Sequence, residues 1–446
     1  MMTARYCFKY INLSSSFDYL KVPVFYLTIC FCLIFQTPAN CQKPSLNEIP
    51  VRKWDVSVLP SFLYNTDKGL QYGALANIVC FDDSLQHQKY LFNLYLQSSH
   101  STKGNFVNYF LFDSKQFLPH GFRIIADLTY LINNFQQFYG FNGFDALYNR
   151  NYLDRTNKEF ISRPYYNIRK ISKTISIDLQ GRLPLSHFRW DLGLGYFNIS
   201  IPSFKGKIQR VPTLFDKYVS DGVIPAAQKN GGVTTYLKYG VIYDTRDDEV
   251  IPKKGVWIEG ILIQAPQFLK NKSSYYQIAF IHRQYISLTS KLLFTYRLAY
   301  QTKISGDMPF YMMPYLQSTY RVQGALGGVK TLRGILNERL QGNGFVLGNG
   351  EFRYFAFTTH KLGHEIAVAF NLFTDAGMIT NKYKISSDLN NQDFNYTADN
   401  EKMHFSIGNG VRFIMNKNFI VSIDYGRALN KNDGRDGFYL DLDYLY

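Results

Sequence analysis

Beyond residue 41 the sequence holds one cysteine, Cys80; the other four, Cys7, Cys30, Cys32 and Cys41, lie in the first 41 residues. One cysteine closes no intramolecular disulfide, which excludes a disulfide scaffold. No apolar run of about 18 or more follows the N-terminal region, so a bundle of membrane-spanning helices is excluded as well. Histidine is sparse and scattered, 8 in 446 residues. There is no G-x-S-x-G, H-E-x-x-H, P-loop or zinc-type Cys/His spacing. We therefore expect no enzyme and no cofactor; a membrane-facing lipase dyad of Ser, His and acid finds no support in the spacing. Acidic residues are outnumbered, 34 against 49 Lys and Arg, for a formal charge of +15. The cations are spread singly rather than gathered on one helix or stripe, so the expected partner is an anionic membrane surface and not nucleic acid.

What the chain has in excess is aromatic side chains: 17% of residues, with 35 Tyr and 37 Phe, at a mean hydropathy of −0.19. Aromatic richness without a membrane-helix signal is what alternating strands with aromatic girdles produce. The alternation is legible. In 122–132, Phe122, Ile124, Ala126, Leu128, Tyr130 and Ile132 oppose Arg123, Asp127 and Thr129. In 291–301, Leu292, Phe294, Tyr296, Leu298 and Tyr300 oppose Lys291, Thr295, Arg297 and Gln301. In 171–179, Ile175, Ile177 and Leu179 oppose Ser172, Thr174, Ser176 and Asp178. Such period-two patterning marks half-buried strands, with the apolar face toward lipid and the polar face toward a wet lumen. A soluble sandwich would pattern likewise, but the aromatic face and an export signal favour the membrane.

That signal occupies residues 1–41. Arg5, Lys9 and Lys21 precede the apolar run Val22–Phe35, and Ala39 and Cys41 stand at the −3 and −1 positions of a peptidase site that would leave Gln42 first. The alternative, a lipidated Cys41, is poorly served by Pro38-Ala39-Asn40. The mature chain would have 446 − 41 = 405 residues. Residues 42–53 form a short periplasmic segment, and strand-like runs occupy 54–446.

About sixteen runs start near Val56, Leu70, Lys89, Asn105, Phe122, Arg169, Phe188, Val233, Gly255, Tyr275, Lys291, Gly344, Glu365, His404, Asn418 and Gly437. Connections after even-numbered runs are mostly brief, as at 185–187, 288–290 and 416–418. Those after odd-numbered runs include 134–165, 202–231, 303–343 and 380–403. Short turns on the near side and long loops outside are what an outer-membrane barrel requires. At the end, Phe438, Leu440, Leu442, Tyr444 and Tyr446 alternate with Tyr439, Asp441 and Asp443, and the chain stops on an aromatic, similar to the assembly signal of bacterial outer-membrane barrels.

Two smaller features read as ordinary surface. The turn 243–255, with Asp244, Arg246, Asp247, Pro252 and Gly255, is tight and charged; it lacks His or Cys, and solvation explains it better than metal binding. The acidic loop 386–401 lacks EF-hand spacing and reads as solvated surface. Phe138–Phe144, FYGFNGF, reads as a loop root packed at the membrane interface.

In order, the D-x-R-D…P-x-x-G turn, the Arg333 loop (Leu332-Arg333-Gly334-Ile335), Phe373-Thr374-Asp375-Ala376-Gly377, Gly410-Val411-Arg412 and the aromatic closing strand resemble the BamA/TamA-like bacterial surface antigen barrels. The resemblance covers essentially the whole mature barrel. It implies an all-β fold: a transmembrane antiparallel β-barrel of about sixteen strands whose sixth external loop, the one carrying Arg333, folds inward. It further implies that Arg333 pairs with Asp375, with Glu351 nearby and Gly377 in the same motif; an inward guanidinium offers a rigid fork to a carboxylate. Leu332 and Ile335 stand where that family carries valine and an aromatic residue. Residues 42–53 are too short for the POTRA modules that receive clients in many members. The implied role is assembly or translocation of outer-membrane proteins in a diderm bacterium, with outer-membrane lipid, client proteins and a periplasmic or lipoprotein partner around it. The alternative is a passive pore or surface antigen that kept the fold alone.

Overall fold

The computed structural model describes residues 54–65, 69–81, 90–115, 118–204, 211–324, 326–361, 364–385, 396–415 and 419–442. The export signal, the segment 42–53, Tyr444, Tyr446 and most of the acidic loop lie outside these. The alternating runs form sixteen barrel strands. They are β1 (Trp54–Asn65), β2 (Gly69–Phe81), β3 (Tyr90–Ser101), β4 (Phe106–Asp113), β5 (Arg123–Gln137), β6 (Asn167–Arg182), β7 (Phe188–Ser200) and β8 (Gly231–Asp244) in the first half. The second half comprises β9 (Gly255–Ala265), β10 (Tyr275–Ser287), β11 (Leu292–Gly306), β14 (Gly344–Lys361), β15 (His364–Asn381), β16 (His404–Met415), β17 (Phe419–Ala428) and β18 (Asp436–Leu442). Two short strands, β12 (Tyr315–Leu316) and β13 (Gln323–Gly324), make a hairpin inside the loop between β11 and β14. Each barrel strand starts within two residues of its sequence-based run.

Every neighbour is antiparallel, and the sheet closes where β1 meets β18. The closure is uneven. β1 pairs with β2 along its whole length, from Trp54↔Cys80 to Asn65↔Gly69. With β18 it shares only Tyr64↔Leu440 and Asn65↔Tyr439 among the described residues. On the outer surface the Tyr64 and Phe438 rings meet across this seam at 5.9 Å. The same aromatic band continues through Tyr72, His100, Phe106 and Tyr130. A second band at the opposite rim includes Trp54, Phe92 and Phe112. Two girdles one hydrocarbon thickness apart are how a barrel seats in lipid.

Described parts of four long loops pack together. Phe138 and Phe141 after β5, Phe215 and Tyr218 on helix α1 (Leu214–Ser220), Phe310 after β11 and Tyr383 after β15 form one buried cluster across the long-loop end. Phe141 lies 4.3 Å from Tyr383 and 6.4 Å from Phe310, centre to centre. This corrects the reading of Phe138–Phe144 as an interface segment: Phe138, Phe141 and Phe144 are 2%, 0% and 4% exposed, buried under the other loops. The acidic loop keeps its expected exposure at 397–400 and departs from it at Glu401. Glu401 accepts from the Phe144 and Ile379 amides at 2.7 and 2.8 Å, so it is folded into the cap rather than solvated.

The lumen also differs from the wet channel expected. Leu326, Leu332, Ile335 and Leu340 of the loop between β11 and β14 pack on inward-facing Ile281, Ala299, Phe345, Leu347 and Ile379. The apolar inward positions exist because a loop covers them.

Candidate functional site

The pleat of β14 sends Glu351 and Arg353 inward while Phe352 and Tyr354 face lipid, 48% and 46% exposed. On the neighbouring strands the same alternation aims Asp375 (β15), Arg412 (β16), Asp424 (β17) and Tyr439 (β18) at the lumen. All are buried. Arg333 reaches this wall from the loop. Its Nε and Nη2 donate to the two Asp375 oxygens at 2.9 and 3.0 Å, and its own amide donates to Asp375 Oδ2 at 3.0 Å. Nη1 donates to Glu351 at 2.9 Å and lies 3.5 Å from Asp424. Arg353 donates to the other Glu351 oxygen at 2.7 Å, and Arg412 grips Asp424 with two bonds of 2.7 and 2.9 Å. Asn349 Nδ2 adds a bond of 2.8 Å to Asp375. Three guanidinium groups thus face three carboxylates in a buried site. Such a network is stable only because each charge is matched and hydrogen-bonded.

Shape matters as much as charge. The Arg333 guanidinium carbon sits 3.4 Å from the centre of the Phe373 ring, a cation–π stack. Phe373 therefore supplies the aromatic face that Ile335 does not. The ring lies against Gly408, where a Cβ would come within 2.3 Å of it. Gly334 adopts φ +91 and its amide donates to the Tyr439 hydroxyl at 3.0 Å. Leu332 packs over Gly377, whose missing side chain leaves it room. Of the sequence-derived positions, Leu332, Arg333, Gly334, Glu351, Asp375 and Gly377 thus converge on one spot. Phe438, Leu440 and Leu442 are on β18, Phe438 facing lipid at 44% exposure.

The 243–255 turn is elsewhere, at the short-turn rim, and the solvated reading needs correcting. Asp244 takes two bonds from Arg246, at 2.9 and 2.7 Å, and Arg246 stacks on Trp257 at 4.1 Å. Asp247 Oδ1 accepts the amides of Lys253 and Lys254, which staples the turn shut. Pro252 lines the lumen mouth, and Gly255 holds φ +104 where a Cβ would strike the Thr245 carbonyl at 2.3 Å. Glu249 bends inward onto Arg123 and Lys115 at 3.2 and 3.4 Å. Burial opposes its ionisation, but those two cations and Arg246 hold its carboxyl down at about 2.

Sequence reasoning missed a second hold on the loop, against the opposite wall. Glu259 (β9), 0% exposed, is ion-paired with Arg283 (β10) and accepts from Ser318 Oγ, Thr319 N and Thr319 Oγ1 at 2.8, 2.7 and 2.7 Å. The available signal was modest: an acid and a base, each the one charged residue on its strand's largely apolar inward face, diagonal neighbours across β9 and β10. Beneath the loop, toward the short turns, a cavity of about 470 Å³ is lined by Tyr95, Tyr109, Arg189, Tyr320, Arg321 and Asp441, among others. Among the described residues no group of three or more His, Cys, Asp or Glu side chains is placed to hold a metal.

No curated protein matches the chain. The profile of the Omp85 superfamily domain matches residues 134–442. Solved structures of similar fold include BamA from Haemophilus ducreyi lacking POTRA domains 1-3, at 17% identity and a TM-score of 0.52, covering 88% of this chain and 70% of that one. CdiB from Escherichia coli aligns at 10% identity and a TM-score of 0.53, covering 89% of this chain and 64% of that one. The chain thus spans about two thirds of the length of these structures. At such identities the likeness is one of fold.

Proposed function

Because this chain belongs to the Omp85 superfamily, we propose that it works on other polypeptides in the outer membrane of a diderm bacterium, assisting their insertion or translocation. It would reach that membrane by the signal in residues 1–41, with 54–446 as the barrel. The observation that carries this reading is the pairing of a short seam with an anchored internal loop. Only two residue pairs join β1 to β18 among the described residues, whereas β17 and β18 pair from Val421↔Leu442 to Arg427↔Asp436. A seam with few hydrogen bonds opens at low cost. The loop beside it is held by Arg333 and Asp375, and Lys330 of the same loop reaches Asp441 of β18 at 2.5 Å.

In mechanism, the seam parts between β1 and β18 and offers its unpaired edges to an arriving strand, which adds by main-chain hydrogen bonds. The anchored loop keeps the lumen filled while the wall is open. The interlocked long loops disfavour the alternative of a standing solute pore, since they cover the mouth such a pore would need. A periplasmic or lipoprotein partner would bring clients to the short-turn side.

The test uses protein reconstituted in liposomes and an unfolded test barrel whose insertion is timed. Wild type should accelerate insertion. Arg333→Ala and Asp375→Ala, each shown to be folded by heat-modifiable gel migration, should lose the acceleration. Wild type that folds but gives no acceleration would count against the reading.

A further inference from the structure

The two walls hold the inner loop by different chemistry. On the β14–β18 side the grip centres on the charged side chain of Arg333, with the Arg333 and Gly334 amides adding one bond each. On the opposite side it is through the loop's main chain. Gln301 (β11) donates to the Tyr315 carbonyl and accepts the Gln317 amide, at 2.7 and 2.8 Å. Lys238 (β8) donates to the Ser318 carbonyl at 2.8 Å, and Gln180 (β6) donates to the Thr319 carbonyl at 2.8 Å. Glu259 accepts the Thr319 amide at 2.7 Å. Five bonds within residues 315–319 are to peptide groups that every sequence possesses, and four barrel strands contribute them. The wall groups are themselves held from behind: Lys238 by Asp178 at 2.8 Å and Glu259 by Arg283. They would keep their places if the loop left. All four wall side chains are 3% exposed or less.

We propose that Gln180, Lys238, Glu259 and Gln301 form a polypeptide-backbone binding site on the lumen wall, which the loop segment 315–319 occupies as a built-in stand-in for a client. The ligand class is a short polypeptide segment, bound through its amides and carbonyls and thus with little regard to sequence. Ser318 and Thr319 strengthen the loop's hold by giving two hydroxyl protons to Glu259. A client segment enters when the loop yields. This rests on the reading of the protein as a polypeptide-handling barrel.

The probe is a biotinylated peptide with the sequence of residues 314–321 and a benzophenone at one end, photocrosslinked to full-length protein in liposomes. Wild type should capture little, because its own loop competes. Ser318→Ala with Thr319→Val weakens the loop and leaves the wall intact, so capture should rise at least fivefold. Adding Gln180→Leu or Gln301→Leu, changes that leave the Lys238–Asp178 and Glu259–Arg283 pairs in place, should return capture to the wild-type level. A peptide scrambled everywhere but at the Ser318–Thr319 pair should be captured as well as the original, and a backbone N-methylated one should not. No rise in the loop variant overturns the proposal. So does a rise that survives the wall substitutions or the N-methylation. Heat-modifiable migration shows that each variant is folded. Insertion of the test barrel is timed in parallel: acceleration without peptide capture removes this site and leaves the assembly reading standing, and capture without acceleration does the reverse.

Discussion

Gly334 and Gly426 meet backbone to backbone. A Cβ on Gly334 would lie 2.5 Å from the Gly426 carbonyl carbon, and a Cβ on Gly426 would lie 2.7 Å from the Arg333 carbonyl carbon. Neither position has space, and Gly334 is also in the left-handed region. Gly334→Ala should therefore destabilise the seated loop by about 1–2 kcal/mol from its backbone conformation alone, and Gly426→Ala should act through the clash. Both should raise protease cleavage between residues 326 and 343 in the folded barrel. Unchanged protection in both variants would show that the loop does not depend on this approach.

Arg333→Ala leaves Asp375 and Glu351 buried with one cation fewer. Breaking a buried pair from one side costs about 3–5 kcal/mol, so the temperature of heat-modifiable unfolding should fall clearly. Arg333→Lys restores the charge without the two-pronged fork and the stack on Phe373, and should recover only part of the loss. Full recovery by lysine would mean that charge alone sets the anchor.

Tyr64 and Leu440 are direct partners across the seam. Paired antiparallel residues stand about 4.5–5.5 Å apart at Cα, within reach of a disulfide. Tyr64→Cys with Leu440→Cys should oxidise readily, halt acceleration of insertion, and regain it on reduction. Undiminished acceleration by the fully oxidised protein would rule out opening at this seam.

The acid dependence of stability has a local source in Glu249, whose folded carboxyl titrates near 2 against about 4.3 for a free glutamate. A carboxyl held low in the fold adds stability above its ordinary range, and that share is lost as the pH falls from about 4.3 to about 2. Glu249→Gln should thus be less stable than wild type above pH 5, and the two should converge near pH 2. Denaturant unfolding at several pH values measures the difference; a constant offset across the window would assign the loss to packing rather than charge.

Much of this was legible in the sequence. Period-two alternation placed the sixteen barrel strands because lipid on one side and a mostly polar interior on the other favour that pattern; the β12–β13 hairpin escaped it. Glu351 and Asp375 were legible as inward residues by the same count, and Arg333 through the family resemblance of its loop. Glu259 and Ser318–Thr319 were not, because their meeting depends on where a long loop travels inside the barrel. No local spacing encodes that path. The cap was missed for a related reason: Phe141 and Tyr383 are over two hundred positions apart, and each reads alone as an ordinary loop aromatic. The turn at 243–255 looked solvated because its partner Arg123 belongs to a distant hairpin.

Arg333 also bears on how the chain reaches its own fold. The loop that carries it is made before β14, β15, β17 and β18, yet it bonds to all four, ending at the Tyr439 hydroxyl. A nascent barrel therefore cannot complete this seat until its last strand has arrived. Circle and stopper are finished together, and a chain cut before residue 436 would lack the Tyr439 and Asp441 contacts to Gly334 and Lys330 that complete the seat.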